Sequence, residues 1–348
     1  MSEIKIAFVG NYQYNCGSSN ALLGYVRAGK AINCDVRVSD FGHVDKIIRK
    51  TIPVADKTWR PDLLVIVYES YPFLSEAEIG RICSSTPRSK RILIDPDGKY
   101  CQPISHSGDT NHSTNESYKY WKDLYDLLSD TILQPFLGEN KTKKVYQFLY
   151  FGVDNSVSDF PERQKNFDLL YVGNNWYRWH DIKWIVEVVA SIRSRLKKVA
   201  LIGQYWLGDV MDEFKEATYS DPDFLRRNKI EVFEPAPYGQ VEEAMGSGLL
   251  NPIFIRPILN KLEFVTPRMF ETIMADSVPL IPYYFNYAKN LFGDEIKKLI
   301  LSCEHASGDI LRILDNYDQN RNIVRNIRRV FMKKHSYEQR LKQLLQYI

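Results

Sequence analysis

The feature that most constrains this chain is a set of short apolar runs that do not alternate with polar residues. Leu63–Val67 (LLVIV), Arg91–Ile94 (RILI) and Val199–Ile202 (VALI) are the clearest of them. They are strand-length and rich in β-branched residues, as strands covered on both faces of a parallel sheet are. Helical patterns separate them, such as Ala21–Ile32 and Ile182–Leu196. In the first half, further strands are read at Ile4–Val9, Asp35–Val38, Thr131–Leu133 and Lys144–Leu149. In the second half they are read at Asp168–Val172, Ile230–Phe233, Ile253–Ile255 and Val278–Pro282. Alternation of this kind calls for βαβ units, and its restart in mid-chain calls for two parallel sheets. The fold class read from it is α/β, with an N-terminal domain over 1–155 and a second over 156–330. The polar stretch Asn155–Asn166, with Pro161, is the hinge between them. Residues 331–348 form a C-terminal helix, opened by Ser336 with Gln339 in a capping pattern.

At 348 residues the chain exceeds one typical core, which agrees with two domains. Its formal charge of +3 is modest and does not argue for nucleic acid as an obligate partner, though a local basic cleft for a pyrophosphate would fit it. Cys16, Cys34, Cys83, Cys101 and Cys303 are scattered with no Cys-x-x-Cys spacing, which points to a reducing compartment rather than to a zinc site or disulfide framework. The chain opens directly into a strand without a basic-then-apolar signal segment, and no run is long enough to span a bilayer. The expectation is a cytoplasmic protein, with room for peripheral membrane contact through a surface patch.

Ligands of open α/β sheets bind beyond the carboxyl ends of the strands. The first such place here is the loop Asn11–Asn20, with Gly17. It lacks Gly-x-Gly-x-x-Gly, which argues against a dinucleotide oxidoreductase. Gly17 either frees a turn or lies beneath a ligand. Glu69, Asp95 and Asp97 follow strand ends, where they cap a following turn or face a substrate. The long polar segment Cys101–Ser117 holds His106 and His112 without a third metal ligand at a convincing spacing. It is a surface loop or an acceptor loop. In the second half, Gly173-Asn174 and Gly203 follow strand ends, with Arg178 and Lys183 close by in sequence.

The densest signal is Asn260–Tyr284. Thr266 and Pro267 suit the N-cap and first turn of a helix over Arg268–Asp276. Backbone donors, the helix dipole and Arg268 then make an anion-binding arrangement. Glu263 and Glu271 stand on the loop and in the helix. Glu263, seven residues, Glu271, then Asp276-Ser277-Val278-Pro279 and an apolar strand, resembles the retaining glycosyltransferases built from two Rossmann-like domains, the GT-B fold. Arg268, three residues before Glu271, is similar to the branch of spore-maturation-type enzymes. Tyr150-Phe151-Gly152-Val153-Asp154 is similar to that family's Asn-Gly-Val-Asp element, with Phe151 in place of Asn. His335-Ser336-Tyr337 is similar to its closing element. Asp276-Ser277 stands where the family has a residue and then Gly.

The resemblance implies two Rossmann-like domains facing a cleft, the first on the acceptor side and the second binding the nucleotide sugar, with C-terminal helices packed back on the first. It implies transfer of a sugar from a nucleoside diphosphate to a hydroxyl of a small molecule or glycan, with retention. Neither a cofactor nor a metal is called for, since the nucleotide sugar is a co-substrate and Asp95-Pro96-Asp97 ends a strand on the acceptor side. Glu263 would contact the donor sugar and Glu271 the ribose. Gly173, Arg178 and Lys183 would hold the diphosphate with Asn174, Gly203, Gly17 and Arg268. The acceptor hydroxyl would fall to Asp97 or His106. Two other readings share the architecture: a nucleotide-sugar-binding protein without catalysis, suggested by Phe151 and Asp276-Ser277, and an enzyme of different chemistry such as a sugar-nucleotide epimerase.

Overall fold

A computed structural model of the chain describes residues 3–12, 16–56, 58–69, 73–100, 115–139, 144–155 and 163–348. His106, His112, Cys101 and most of the expected hinge lie outside the described residues. The chain divides into two compact units. The first comprises Met1–Ser158, Lys261–Pro267 and Phe331–Ile348, and the second Asp159–Asn260 and Arg268–Val330. Lys261–Pro267, with Glu263, therefore groups with the first unit although it falls inside the second half of the sequence.

The first unit runs β1 (Ile4–Tyr12), α1 (Gly17–Ala31), β2 (Cys34–Val44), α2 (Lys46–Thr51), β3 (Leu63–Val67), α3 (Glu76–Ser85), β4 (Arg91–Ile94), α4 (Asn115–Leu128), β5 (Thr131–Gln134) and β6 (Val145–Gln147). Its sheet is six-stranded in the order β2-β1-β3-β4-β5-β6, parallel throughout. The unbroken apolar run of β3 is central, and all five of its residues are buried. Neighbours on both edges explain why no polar residue interrupts it: Ile6–Gly10 pair on one side and Arg91–Ile94 on the other.

The second unit runs β7 (Phe167–Val172), α5 (Trp179–Ala190), β8 (Val199–Ile202), α6 (Lys215–Thr218), α7 (Pro222–Arg227), β9 (Glu231–Phe233), α8 (Val241–Gly246), β10 (Gly248–Pro252), α9 (Pro257–Lys261), α10 (Pro267–Met274), β11 (Val278–Leu280), α11 (Ala288–Phe292), α12 (Ala306–Asp315) and α13 (Tyr317–Lys334). Its five strands lie in the order β11-β10-β7-β8-β9, again all parallel. The strand expected at Ile253–Ile255 is displaced. Leu250 pairs with Leu169 and Val278, so the ladder is carried by Gly248–Pro252, and Ile253, Phe254 and Ile255 are a buried continuation beyond it. Glycine is required at the start of that strand, because a Cβ on Gly248 would come within 2.7 Å of Leu170 Cβ.

The turn between α10 and β11 has Asp276 in the left-handed region, φ 56°, a conformation that favours glycine. Aspartate is held there by partners. Arg321 bonds its Oδ2 and Arg325 stands 3.6 Å from Oδ1, while Lys165 Nζ donates to the Asp276 carbonyl at 2.9 Å. Lys165 also donates to the carbonyls of Gly246 and Gly248, which ties the amino ends of β7 and β10 to this turn. Burial pulls the Lys165 ammonium down to about 8.

From Phe331, in the last turn of α13, the chain belongs to the first unit, and α14 (Tyr337–Leu344) follows there. Ser336 Oγ caps it by accepting from the Gln339 N–H at 3.3 Å. The Val153 N–H donates to the His335 carbonyl and the Tyr337 N–H donates back to Val153. Tyr337 packs against α1, edge-on to Tyr25, and Gly24 leaves it room: a Cβ there would lie 2.2 Å from the ring. The His-Ser-Tyr motif is thus a packing element of the first unit. Among the described residues no helix is long and apolar enough to cross a membrane.

Candidate active site

In both units some of the singled-out residues, the turns at Asp95–Asp97, Gly173 and Gly203, follow the carboxyl ends of strands, where parallel sheets bind ligands. In the second unit Gly173 and Gly203 follow β7 and β8. Their turns press together so closely that a Cβ on Gly203 would stand 2.2 Å from the Gly173 carbonyl oxygen. Side chains lock the pair: Trp206 Nε1 donates to the Gly173 carbonyl at 2.9 Å, and Asn174 Oδ1 accepts from the Gln204 N–H at 2.9 Å. The fully buried Asn175 donates to the Tyr219 carbonyl at 2.6 Å and accepts from the Arg178 N–H at 3.3 Å.

Arg268 and Glu271 project from α10 beside the first of these turns. Their separation of three residues places them on one helix face, and Arg268 Nη1 lies 3.3 Å from Glu271 Oε2. The guanidinium also bonds Met245 Sδ at 3.2 Å and lies 5.8 Å above the Tyr171 ring. A Cβ on Gly173 would meet Arg268 Nη2 at 2.9 Å, so glycine there lets the cation reach the strand end. The two side chains are only 18% and 13% exposed. Burial pushes the Glu271 carboxyl up, and the charge of Arg268 pulls it part of the way back. The result is a cation and a carboxylate, close-packed and mostly desolvated, next to a glycine turn. Thr266 stands just before this helix, but its hydroxyl makes no hydrogen bond among the described residues, so it supplies no side-chain cap. Arg178 donates to the Trp176 carbonyl at 3.2 Å, and Lys183 is exposed on α5, 4.0 Å from Glu187.

In the first unit, Lys261–Pro267 lies along the strand ends. Leu137 N–H donates to the Glu263 carbonyl at 3.0 Å, Val265 N–H donates to the Pro135 carbonyl at 2.7 Å, and Phe136 bridges Phe264. Glu263 itself is left-handed, φ 55°, an uncommon conformation for a non-glycine residue and one that gathers at functional sites. The segment explains three glycines. A Cβ on Gly17 would lie 2.5 Å from Pro267 Cγ, one on Gly98 2.3 Å from Leu262 Cδ1, and one on Gly138 2.7 Å from Glu263 Oε2. It packs Leu262, next to Glu263, over Gly98 of the turn that carries Asp97.

That turn is dense with charge. Asp95, fully buried, accepts from the N–H groups of Lys99 (3.1 Å) and Tyr100 (2.9 Å) and from Gln134 Nε2 (2.8 Å). Burial pushes its carboxyl up, while the charge of Lys99 and the three donors pull it back. Asp97 is ion-paired with Lys99 at 3.2 Å. Glu69, after β3, accepts from Cys16 Sγ at 3.6 Å. Nothing in the sequence signals that Lys99 and Gln134 meet at this turn. A lysine after Asp-Pro-Asp-Gly reads as a solvated turn residue, and only long-range packing buries it.

No known family's sequence pattern matches the chain, and no curated protein matches it. Solved structures do match. HepE from Anabaena, solved with UDP and glucose, aligns with a TM-score of 0.67 at 10% identity, over 99% of this chain and 100% of that one. An alpha-glucosyltransferase solved with UDP gives 0.67 at 10% identity over 99% of each chain. A glycosyltransferase from Rickettsia africae gives 0.61 at 12% identity, covering 100% of this chain and 98% of that one. At such identities the likeness is one of fold, and the fold of this chain is the two-sheet α/β arrangement of GT-B glycosyltransferases.

Proposed function

We propose that the protein is a glycosyltransferase that moves a sugar from a nucleoside-diphosphate sugar to an acceptor hydroxyl, with retention and without a metal. The observation that carries this reading is the buried Arg268–Glu271 pair against the Gly173 turn, in a chain whose fold matches UDP-bound glycosyltransferase structures end to end. A diphosphate needs cationic and N–H donors, and Arg268 with the first turn of α10 supplies both. A ribose needs an acceptor for its hydroxyls, which the Glu271 carboxylate supplies. In the reaction the bond from the anomeric carbon to the diphosphate oxygen breaks and the acceptor oxygen takes its place. The nucleoside diphosphate leaves with the bonding pair, and the acceptor's proton passes to it or to water. Donors already aimed at the departing diphosphate are the largest expected catalytic contribution. Glu263 is assigned to the donor sugar and Asp97 to the acceptor hydroxyl.

Thermal unfolding with UDP, GDP, ADP, CDP and TDP, in the presence of chelator, tests the donor half. One diphosphate at a hundred times its dissociation constant should stabilise the protein by about 2.7 kcal/mol. Stabilisation that appears only with magnesium or manganese overturns the metal-free reading. No stabilisation by any of them overturns the donor site.

A further inference from the structure

We propose that Lys99 is a positioning residue for the transfer reaction, its buried ammonium orienting the Asp97 carboxylate toward the incoming hydroxyl. The inference rests on the glycosyltransferase reading and adds to it a residue outside the donor site. The Lys99 side chain is 0% exposed, and Nζ contacts the Asp97 carboxylate at 3.2 Å, the Tyr68 carbonyl at 3.4 Å and the Trp121 ring at 4.7 Å from its centroid. Burying an ammonium is costly, and an apolar side chain of similar volume often packs a core as well or better.

The turn does not need the charge for its shape. Asp95 already fixes it through two backbone N–H groups and Gln134. What the ammonium adds is a counter-ion for a second carboxylate. Asp95 and Asp97 lie two residues apart in one turn, both nearly inaccessible. Tyr68 at the end of β3 and Tyr125 of α4 face the same cluster, and Glu263 lies on the segment packed over Gly98. Without the ammonium, Asp97 loses the charged contact at 3.2 Å that fixes the direction of its carboxylate. Gly98 (φ 74°) turns the chain sharply between the partners, so that Asp97 and Lys99 meet side by side.

The test uses the full chain and a nucleotide sugar that the wild type hydrolyses, with water as acceptor. Lys99→Gln should lower kcat at least tenfold while the donor KM and the affinity for the free nucleoside diphosphate stay within threefold of wild type. Lys99→Arg, which keeps the charge, should recover most of the loss. Adding Lys99→Gln to Asp97→Asn should cost nothing further, because the lysine acts through that carboxylate. That double variant carries a neutral amide pair, so the comparison holds even if Lys99→Gln alone does not fold. Unchanged kcat in Lys99→Gln, or a further loss in the double variant, overturns the proposal while leaving the glycosyltransferase reading standing. A wild type that hydrolyses none of a full panel of nucleotide sugars overturns that reading, and this inference with it.

Discussion

At the scale of single residues, two carboxylates illustrate how burial and charge trade against each other. Glu271 is disfavoured as an anion by its surroundings and kept useful by Arg268 one turn away. Glu271→Gln keeps the shape and removes the charge that strengthens hydrogen bonds to ribose. Affinity for the nucleoside diphosphate should fall by about 1.5–3 kcal/mol, measured by calorimetry. The thermal midpoint should fall modestly, since the mostly buried Arg268 loses its counter-charge while the amide is easier to bury than the carboxylate. Normal diphosphate affinity in this variant would remove the ribose assignment. Asp276 shows the opposite balance. Replacing it with glycine relieves left-handed strain of about 1–2 kcal/mol. The same change leaves Arg321 and Arg325 without their carboxylate, and breaking a buried pair costs about 3–5 kcal/mol. The pairing outweighs the strain, so Asp276→Gly should lower stability in urea titrations by roughly 1–4 kcal/mol. A more stable Asp276→Gly protein would show that the arginines contribute little.

At the scale of elements, legibility depended on whether local pattern or distant contact decides a segment. β3 and β8 occupy the predicted residues from end to end, because an unbroken apolar run between turn residues has few other uses. β10 was misread because its residues, Gly-Leu-Leu-Asn-Pro, are poor strand formers. Its place is set by pairing with β7 and β11, which no local pattern reveals. The closing motif carries a further consequence. His335 Nδ1 lies 2.7 Å from Arg340 Nη2, and burial together with that cation depresses the His335 imidazole to about 4. The unfolded chain, near 6.5, therefore takes up a proton that the folded protein refuses. The stability this confers is whole above about pH 6.5 and declines as pH falls toward 4, by at most about 1.4 kcal/mol per pH unit and less for an incompletely buried ring. Chemical denaturation between pH 4 and 7 should show that slope reduced in His335→Asn. Equal slopes in the two proteins would mean that the imidazole titrates normally.

At the scale of the whole molecule, two parallel sheets in one chain were legible because strand and helix patterns restart in mid-sequence. Where Glu263 belongs was not. It is separated by seven residues from its partner in the motif, yet its segment groups with the first unit through Pro135, Leu137 and Gly98. Glu263 and the Asp97–Lys99 turn fall in one compact unit and Arg268–Glu271 in the other. The most direct test is release of the nucleoside diphosphate from nucleotide sugars, UDP-glucose among them, followed by chromatography in the presence of chelator. The account predicts turnover of at least one by the wild-type protein, with kcat reduced in Glu263→Gln more than diphosphate affinity. Diphosphate binding without turnover of any nucleotide sugar, or turnover undiminished in Glu263→Gln, would contradict it.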